Sequence, residues 1–271
     1  MSGDAHREPE GAFGAMADAP ISMPPAVGTP LPAPPAAASP APPAALKETC
    51  RVVQGEVPLW PFHRARLAAG GCGETLLALA EARALEAAAA WPDLETRRAR
   101  LTVVVREDGS VTAEVTRRSS SLDVPRGPIV ARIDVDAPPP LPPGPAKPAE
   151  RSAYDDAHRR ARALGARQGI LVGPDGLVID GSTATAWIAE GDTLVTPPSP
   201  PAVPGVARAF VLASARDAGL TARIEPIAWE RFEVADEAML TNAFGGAVAV
   251  RGRGGAMCAR VAELFAGVWR Y

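Results

Sequence analysis

Proline and alanine dominate a long stretch near the start of the chain, residues 19–45. Proline removes a backbone donor and neither residue buries much surface, so this stretch cannot offset the entropy lost on ordering. We therefore predict a disordered, partly polyproline II extension over residues 1–46. The rest of the 271-residue chain is long enough for one large domain or two small ones that share a core.

Composition excludes several classes of protein. Residues 1–11 lack the basic and apolar regions of a secretory signal, and no run of about 18 apolar residues could span a membrane. The formal net charge of −3 gives no reason to expect nucleic acid. The three cysteines, Cys50, Cys72 and Cys258, have neither zinc-ligand nor disulfide-framework spacing. We therefore expect a cytoplasmic protein with no metal, membrane or nucleic-acid partner.

Short strand patterns alternate with helix patterns after the proline-rich stretch. We predict strands at residues 49–53, 56–60, 101–106, 110–115, 129–135, 169–172, 177–179, 185–188, 192–195, 222–226, 237–241 and 247–250. Helices are predicted to begin at Pro61 and Glu74 and to cover residues 150–164, 206–218 and 257–270. This interleaving favours an α+β architecture without a series of nucleotide-binding βαβ units.

A second proline-rich segment, residues 137–148, interrupts these elements. Such a segment is stiff and extended, which suits a connection between domains. We predict a small N-terminal α/β domain over residues 47–136 and a larger C-terminal domain over residues 149–271. Ligand sites tend to form in clefts between domains, so a reactive residue at the end of this linker would be well placed.

Lys147 stands at the end of that linker and is one of only two lysines, with Lys47, in an arginine-rich chain. Arginine can replace lysine where only charge is needed, but not where the amine must deprotonate and attack a carbonyl. An acidic turn follows at Asp180-Gly181-Ser182-Thr183. An amine for an aldehyde and a carboxylate for a ring nitrogen together suggest a pyridoxal phosphate site.

Several separated segments, in the right order, resemble the class IV (fold type IV) aminotransferase family. Residues 48–51 and 63–67 look like its FETxR strand and HxxRL helix, and residues 147–154 look like its K-x-x-x-R-x-x-Y segment. Residues 180–185 resemble the EGSTSN turn, residues 196–208 the TPP…PGITR segment, and residues 235–243 the ADE strand with its loop. The resemblance covers about residues 48–250 and implies the two-domain D-amino acid aminotransferase-like fold, a homodimer and the cofactor pyridoxal 5'-phosphate.

The resemblance also implies the roles of individual residues. Lys147 would be the catalytic residue that bonds to the cofactor aldehyde, and Asp180 would pair with the ring nitrogen, although the family usually has glutamate there. The residues that would surround the phosphate, through a guanidinium or backbone amides, are Arg66, Gly205, Val206, Ala207, Thr241 and Asn242. Ala207 stands where the family usually has threonine.

Two sites of the resemblance favour the lyase branch of the family over the branched-chain aminotransferases. The chain has Glu48-Thr49 and Thr241-Asn242-Ala243 where the latter have Glu-Gly and Gly-Thr-Ala. The implied activity is conversion of a small molecule, 4-amino-4-deoxychorismate, to 4-aminobenzoate and pyruvate in folate biosynthesis. Two alternatives stay open: a class IV aminotransferase acting on branched-chain or D-amino acids, and a family derivative without catalysis, which the Asp180 and Ala207 departures favour.

Overall fold

The structure, a computed structural model, describes residue 42 and residues 44–91, 99–141 and 146–269. Most of the predicted extension over residues 1–46, and residues 142–145 of the predicted linker, lie outside these ranges. All described residues belong to one of the two compact units of the chain, Ala38–Tyr271. The division into domains over residues 47–136 and 149–271 stays a prediction.

An antiparallel three-stranded sheet packs on two helices in the first part of the chain. The elements are β1 Leu46–Val52, α1 Trp60–Ala69, α2 Glu74–Ala89, β2 Ala99–Val105 and β3 Val111–Arg117, with the strands in the order β1-β2-β3. Alternate residues of a strand face opposite sides of its sheet. Leu101 and Val103 of β2 are fully buried in a cluster with Leu76 and Leu77 of α2. One face of the sheet is therefore covered by helices, and the other face carries polar residues.

Strand β1 begins at Leu46, earlier than the predicted strand over residues 49–53 and within the predicted extension. The cause is a partner distant in sequence. The Lys47 amide donates to the carbonyl of Lys147 at 3.1 Å, and the Ala149 amide donates to the carbonyl of Ala45 at 2.7 Å. The start of β1 is thus fixed by the segment that carries Lys147.

The predicted strand over residues 56–60 is wrong. Val53 and Glu56 form only an isolated bridge, because Gln54 and Gly55 adopt left-handed φ angles of 52° and 80° and turn the chain. Helix α1 then begins at Trp60, with Pro61 in its first turn as predicted. Trp60, the last residue of the predicted strand, is therefore the first residue of the helix.

The remaining elements form two further sheets. One sheet has the order β4-β5-β6, from β4 Val130–Asp134, β5 Gln168–Val172 and β6 Val178–Gly181, with α3 Ser152–Ala163 between the parallel strands β4 and β5. The other has the order β11-β10-β7-β8-β9, from β7 Thr185–Glu190, β8 Thr193–Thr196, β9 Thr221–Ile224, β10 Glu237–Asn242 and β11 Gly246–Ala249. The associated helices are α4 Val206–Ala215, α5 Trp229–Val234 and α6 Ala256–Val268.

Strand β7 lies at the centre of the five-stranded sheet and is buried on both faces. Trp187 packs with residues of α4 and α6, whereas Ile188 packs with residues of β5 and α5. Helix α5 was not among the predicted elements, because its six residues are too few to display a helical period. Mixed helices and strands around separate sheets confirm the predicted α+β class.

Candidate functional site

A cavity of about 450 Å³ lies beside the polar face of the three-stranded sheet and is lined by residues from separated parts of the chain. Its lining includes every site residue chosen from the sequence: Arg66, Lys147, Asp180, Gly205, Val206, Ala207, Thr241 and Asn242. The fold therefore brings these residues together although up to 176 positions (66 to 242) separate them in sequence.

The Lys147 amine projects into this cavity and donates a hydrogen bond from Nζ to Thr49 Oγ1 at 3.1 Å. Burial among the cavity walls, assisted by the charges of Arg151 and Arg66, lowers the pKa of Lys147 from 10.5 to about 7. A large share of the amine is therefore neutral at physiological pH. A neutral amine is the form that attacks a carbonyl carbon.

The Asp180 carboxyl is buried near the end of β6. The Gly181 amide donates to its Oδ1 at 3.0 Å, and among the described residues no arginine, lysine or histidine forms an ion pair with it. Burial raises the pKa of Asp180 from 3.8 to about 7. This carboxyl is thus able to accept a hydrogen bond from a cationic N–H group, which would favour its ionised form.

Arg66 lies at the side of the cavity where α4 begins. Its Nε donates to Glu48 Oε1 at 2.9 Å, its Nη2 donates to Glu48 Oε2, and its Nη1 donates to the carbonyl of Pro204 at 2.8 Å. His63 Nδ1 lies 2.5 Å from Glu48 Oε2. Burial raises the pKa of Glu48, but the Arg66 charge and the His63 contact outweigh it and bring the pKa to about 2. Glu48 is therefore ionised and fixes the guanidinium.

Glu48 lies in the segment that resembles the FETxR strand, but it is not among the predicted site residues. It occupies the side of β1 that also carries Leu46, Cys50 and Val52, all of which are buried. A carboxylate at an otherwise apolar position of a strand was the signal that could have identified it. Burial of such a charge requires a cationic partner, and Arg66 supplies it.

The N-terminus of α4 forms an anion cradle. Gly205 precedes the helix, no side chain caps it, and the amides of the first turn are free of intrahelical partners. A Cβ atom at Gly205 would lie only 2.6 Å from Thr185 Oγ1, so the close approach requires glycine. Ala207 offers no hydroxyl, which leaves the amides of Val206 and Ala207 and the guanidinium of Arg66 to hold an anion.

Thr241 and Asn242 border the cavity, and their side chains are already engaged. Trp187 Nε1 donates to Thr241 Oγ1 at 2.9 Å, and Asn242 Nδ2 donates to the carbonyl of Thr183 at 3.1 Å. Asn242 Oδ1 accepts the Gly245 amide at 2.6 Å. These side chains shape the turn between β10 and β11, so any contact of this turn with an anion would come from its backbone amides.

Four cationic residues that the sequence reasoning did not assign to the site also line the cavity: Lys47, Arg100, Arg118 and Arg151. The signal for Arg100 was its place in β2, where it alternates with the apolar residues Leu101 and Val103. Recognising that Arg100 and Arg118 lie together required the register of β2 and β3, which the sequence does not contain.

The described part of the chain meets the requirements of neither a metal site nor a membrane-spanning helix. No group of histidine, cysteine, aspartate or glutamate residues there could hold a metal ion. None of the helices in the described ranges is long and apolar enough to cross a lipid bilayer.

The arrangement of the cavity fits pyridoxal phosphate at three points. The amine of Lys147 suits the aldehyde, the buried carboxyl of Asp180 suits the ring nitrogen, and Arg66 with the first amides of α4 suits the phosphate. Fold and cavity together are those of a pyridoxal phosphate-dependent enzyme.

The family follows from comparison with known sequences. The sequence model described as "Amino-transferase class IV" matches residues 45–252. The chain belongs to this family, whose members use pyridoxal phosphate, and it is an aminotransferase or lyase of that kind. No curated protein sequence matches the chain significantly.

Solved structures agree with this fold. The fold IV-transaminase CpuTA1 from Curtobacterium pusillum is 17% identical with a TM-score of 0.67, over 84% of this chain and 87% of that chain. A hypothetical aminotransferase from Mycobacterium tuberculosis in its PLP-bound form is 23% identical with a TM-score of 0.67, over 83% and 88%. A candidate 4-amino-4-deoxychorismate lyase is 24% identical with a TM-score of 0.66, over 82% and 89%.

Proposed function

We propose that the protein is a lyase that uses pyridoxal phosphate to convert 4-amino-4-deoxychorismate to 4-aminobenzoate and pyruvate. The observation that supports the lyase branch is the 3.1 Å hydrogen bond from Lys147 Nζ to Thr49 Oγ1. The branched-chain aminotransferases have glycine at the position of Thr49, so a hydroxyl beside the reactive amine distinguishes this cavity from theirs.

In this proposal, Lys147 first holds the cofactor and then moves a proton. When bound, the cofactor withdraws electrons from the carbon that carries the substrate amine. Nζ of Lys147 would accept the proton from that carbon, and its lowered pKa of about 7 suits a base near neutral pH. Thr49 orients the amine. The C–O bond that joins the ring to its three-carbon side group would then break, the ring would become aromatic, and the proton held by Lys147 would convert the released group to pyruvate.

The other residues hold the cofactor in place. Asp180 would keep the ring nitrogen protonated, because its ionised form is favoured only when a cationic N–H donor lies against it. Arg66, fixed by Glu48 and the Pro204 carbonyl, would bind the phosphate with the amides of Val206 and Ala207. A cytoplasmic location, a homodimer and a role in folate biosynthesis belong to the same proposal and are supported by the family resemblance.

Two measurements test this function in sequence. Added pyridoxal phosphate should give the wild-type protein a visible absorbance band that Lys147→Ala lacks. The loaded wild-type protein should then release pyruvate from 4-amino-4-deoxychorismate. Absence of the band in the wild type would contradict the cofactor site. A band without pyruvate release, together with amino transfer from an amino acid to 2-oxoglutarate, would identify an aminotransferase instead.

Variants of Thr49 test the residue that carries the proposal. Thr49→Val keeps the shape of the side chain but removes the hydroxyl, and we expect pyruvate release to slow by about tenfold while the absorbance band remains. Thr49→Ser restores a hydroxyl and serves as the matched control. Equal rates for the valine and serine variants would exclude a role for the hydroxyl.

A further inference from the structure

The cavity contains more positive charge than the proposed cofactor site uses. On the polar face of the sheet, Thr49 of β1 lies opposite Thr102 of β2, and Arg100 follows on the same face of β2. Arg118 lines the same cavity just beyond the end of β3. Among the described residues, neither Arg100 nor Arg118 forms a hydrogen bond with Lys147 or Arg66.

The guanidinium of Arg100 has no hydrogen-bond or ion-pair partner among the described residues. Its Nε is buried and has no hydrogen-bond acceptor, and no carboxylate of the described residues forms an ion pair with it. Burial and the neighbouring charge of Arg118 lower the pKa of Arg100, and Glu114 only partly opposes them. Leaving the buried Nε–H donor unsatisfied costs free energy, so an anion that accepts a hydrogen bond from it would be bound favourably.

Arg118 lies where it can share that anion. Arg100 pairs with Thr116 in the register of β2 and β3, so continuing β3 by two residues puts Arg118 diagonally beside Arg100. Diagonal neighbours in an antiparallel pair have Cα atoms roughly 7–8 Å apart, within reach for two long side chains. Two planar guanidinium groups at this separation can grip one carboxylate from both sides.

The pair is separate from the reactive amine. The charges that act on Lys147 are those of Arg151, Arg66, Glu48 and Lys47. The charges that act on Arg100 are those of Arg118 and Glu114. Arg100 lies opposite Arg51 in the register of β1 and β2, two positions along β1 from Thr49, which the Lys147 amine contacts, so the two groups reach the cavity at different points.

We propose that Arg100 and Arg118 form a subsite for a substrate carboxylate that is remote from the reacting amine. This inference rests on the proposed function and names the substrate class that it would select: amines that carry a carboxylate at some distance from the amine-bearing carbon. 4-Amino-4-deoxychorismate belongs to this class, since the carbon that carries its amine carries no carboxylate.

Two probes of similar shape test the subsite by binding alone. 4-Aminobenzoate has a carboxylate opposite its amine, and 4-methylaniline has a methyl group there. Calorimetry on the protein loaded with pyridoxal phosphate should find 4-aminobenzoate bound at least tenfold more tightly than 4-methylaniline. Arg100→Met and Arg118→Met should each weaken 4-aminobenzoate about tenfold and leave 4-methylaniline unchanged. Arg117→Met is the control, because Arg117 does not line the cavity, and it should retain the preference.

The outcomes separate this inference from the proposed function. Equal affinities of the two probes for the wild type, or an unchanged preference in Arg118→Met, would overturn the subsite even if the absorbance band and pyruvate release are present. Arg118 is exposed, so its substitution leaves the core intact if Arg100→Met fails to fold. If the wild type shows no absorbance band, the proposed function fails, and the same titrations on the cofactor-free protein still decide whether the two arginines bind the carboxylate.

Discussion

The carboxylate of Glu48 holds the guanidinium of Arg66 by two parallel hydrogen bonds, one of them from Nε to Oε1 at 2.9 Å. Both side chains are buried, and the third bond of Arg66 goes to the backbone just before α4. The ion pair therefore links the first sheet to the anion cradle. It determines the direction of the guanidinium before any ligand binds.

Glu48→Gln should destabilise the protein and weaken cofactor binding. Removing one partner of a buried ion pair costs about 3–5 kcal/mol, because the other charge stays buried without compensation. We expect a loss of that order in urea unfolding at pH 7 and at least about tenfold weaker pyridoxal phosphate binding. Glu86→Gln is the control, since Glu86 pairs with Arg83 on an exposed helix surface, and its effect should stay below about 1 kcal/mol.

The same pair predicts a dependence of stability on acid. The pKa of Glu48 is about 2 in the folded protein, below its ordinary value of 4.5. The folded state therefore binds fewer protons than the unfolded state, and the stabilisation is present above pH 4.5 and lost as the pH falls toward 2. The difference in unfolding free energy between wild type and Glu48→Gln should shrink over this range. A constant difference would contradict an ionised Glu48.

The lowered pKa of Lys147 predicts that the stability of the cofactor-free protein depends on pH in the alkaline range. Its pKa falls from 10.5 to about 7 on folding, so between these values the unfolded state binds the extra proton. Stability from this group therefore rises with pH from 7 to 10.5, by at most about 1.4 kcal/mol per pH unit. Lys147→Met should be more stable than wild type at pH 7, and the gap should close as the pH is raised toward 10. Parallel curves for the two proteins would exclude a lowered pKa.

The raised pKa of Asp180 predicts that stability decreases as the pH rises. Its pKa rises from 3.8 to about 7 on folding, so between these values the folded state holds the extra proton and stability declines as the pH rises. Asp180→Asn removes the titrating group and should be the more stable protein above pH 7 without cofactor. With pyridoxal phosphate the order should reverse, because asparagine cannot balance a protonated ring nitrogen. Thermal unfolding with and without cofactor measures both effects.

Gly205→Ala should weaken the anion cradle. The new Cβ atom would lie 2.6 Å from Thr185 Oγ1, so the start of α4 must shift, at a cost of about 1–3 kcal/mol. We expect weaker binding of pyridoxal phosphate, and partial recovery when Thr185→Ala removes the hydroxyl. Gly267→Ala is the matched control, because nothing lies within 4 Å of its added carbon, and a gain of about 0.5–1 kcal/mol is expected in helix α6.

Local patterns were sufficient for most of the fold. The hairpin of β2 and β3 follows from the Asp108-Gly109 turn between apolar strands, and Gly109 adopts the left-handed φ of 77° that such turns require. The strand predicted over residues 56–60 failed because a turn and a helix start compete there. The early start of β1 depends on residues about 100 positions away, which no local pattern could reveal.

The residues of the site also divide into those that the sequence predicts and those that only the structure shows. Lys147 and Asp180 carry recognisable chemistry in their own segments, so sequence reasoning could select them. Glu48 stands out as a carboxylate at an otherwise apolar strand position, but only the structure shows that Arg66 is its partner inside the core. The subsite of Arg100 and Arg118 depends on the register between strands and on the lack of a hydrogen-bond acceptor for Arg100 Nε among the described residues. Whether a side chain lacks a partner can be seen only in the structure.

Main-chain hydrogen bonds attach the segment of Lys147 to the start of β1: the Lys147 carbonyl accepts from the Lys47 amide, and the Ala149 amide donates to the carbonyl of Ala45, just before the strand. Backbone pairing of this kind imposes no requirement on the side chains at Ala45 or Ala149. Substitutions at Ala45 and Ala149 can therefore leave the backbone position of Lys147 unchanged. Backbone pairing of this kind needs no common side chains, and the solved structures with this architecture share no more than about a quarter of their residues with the chain.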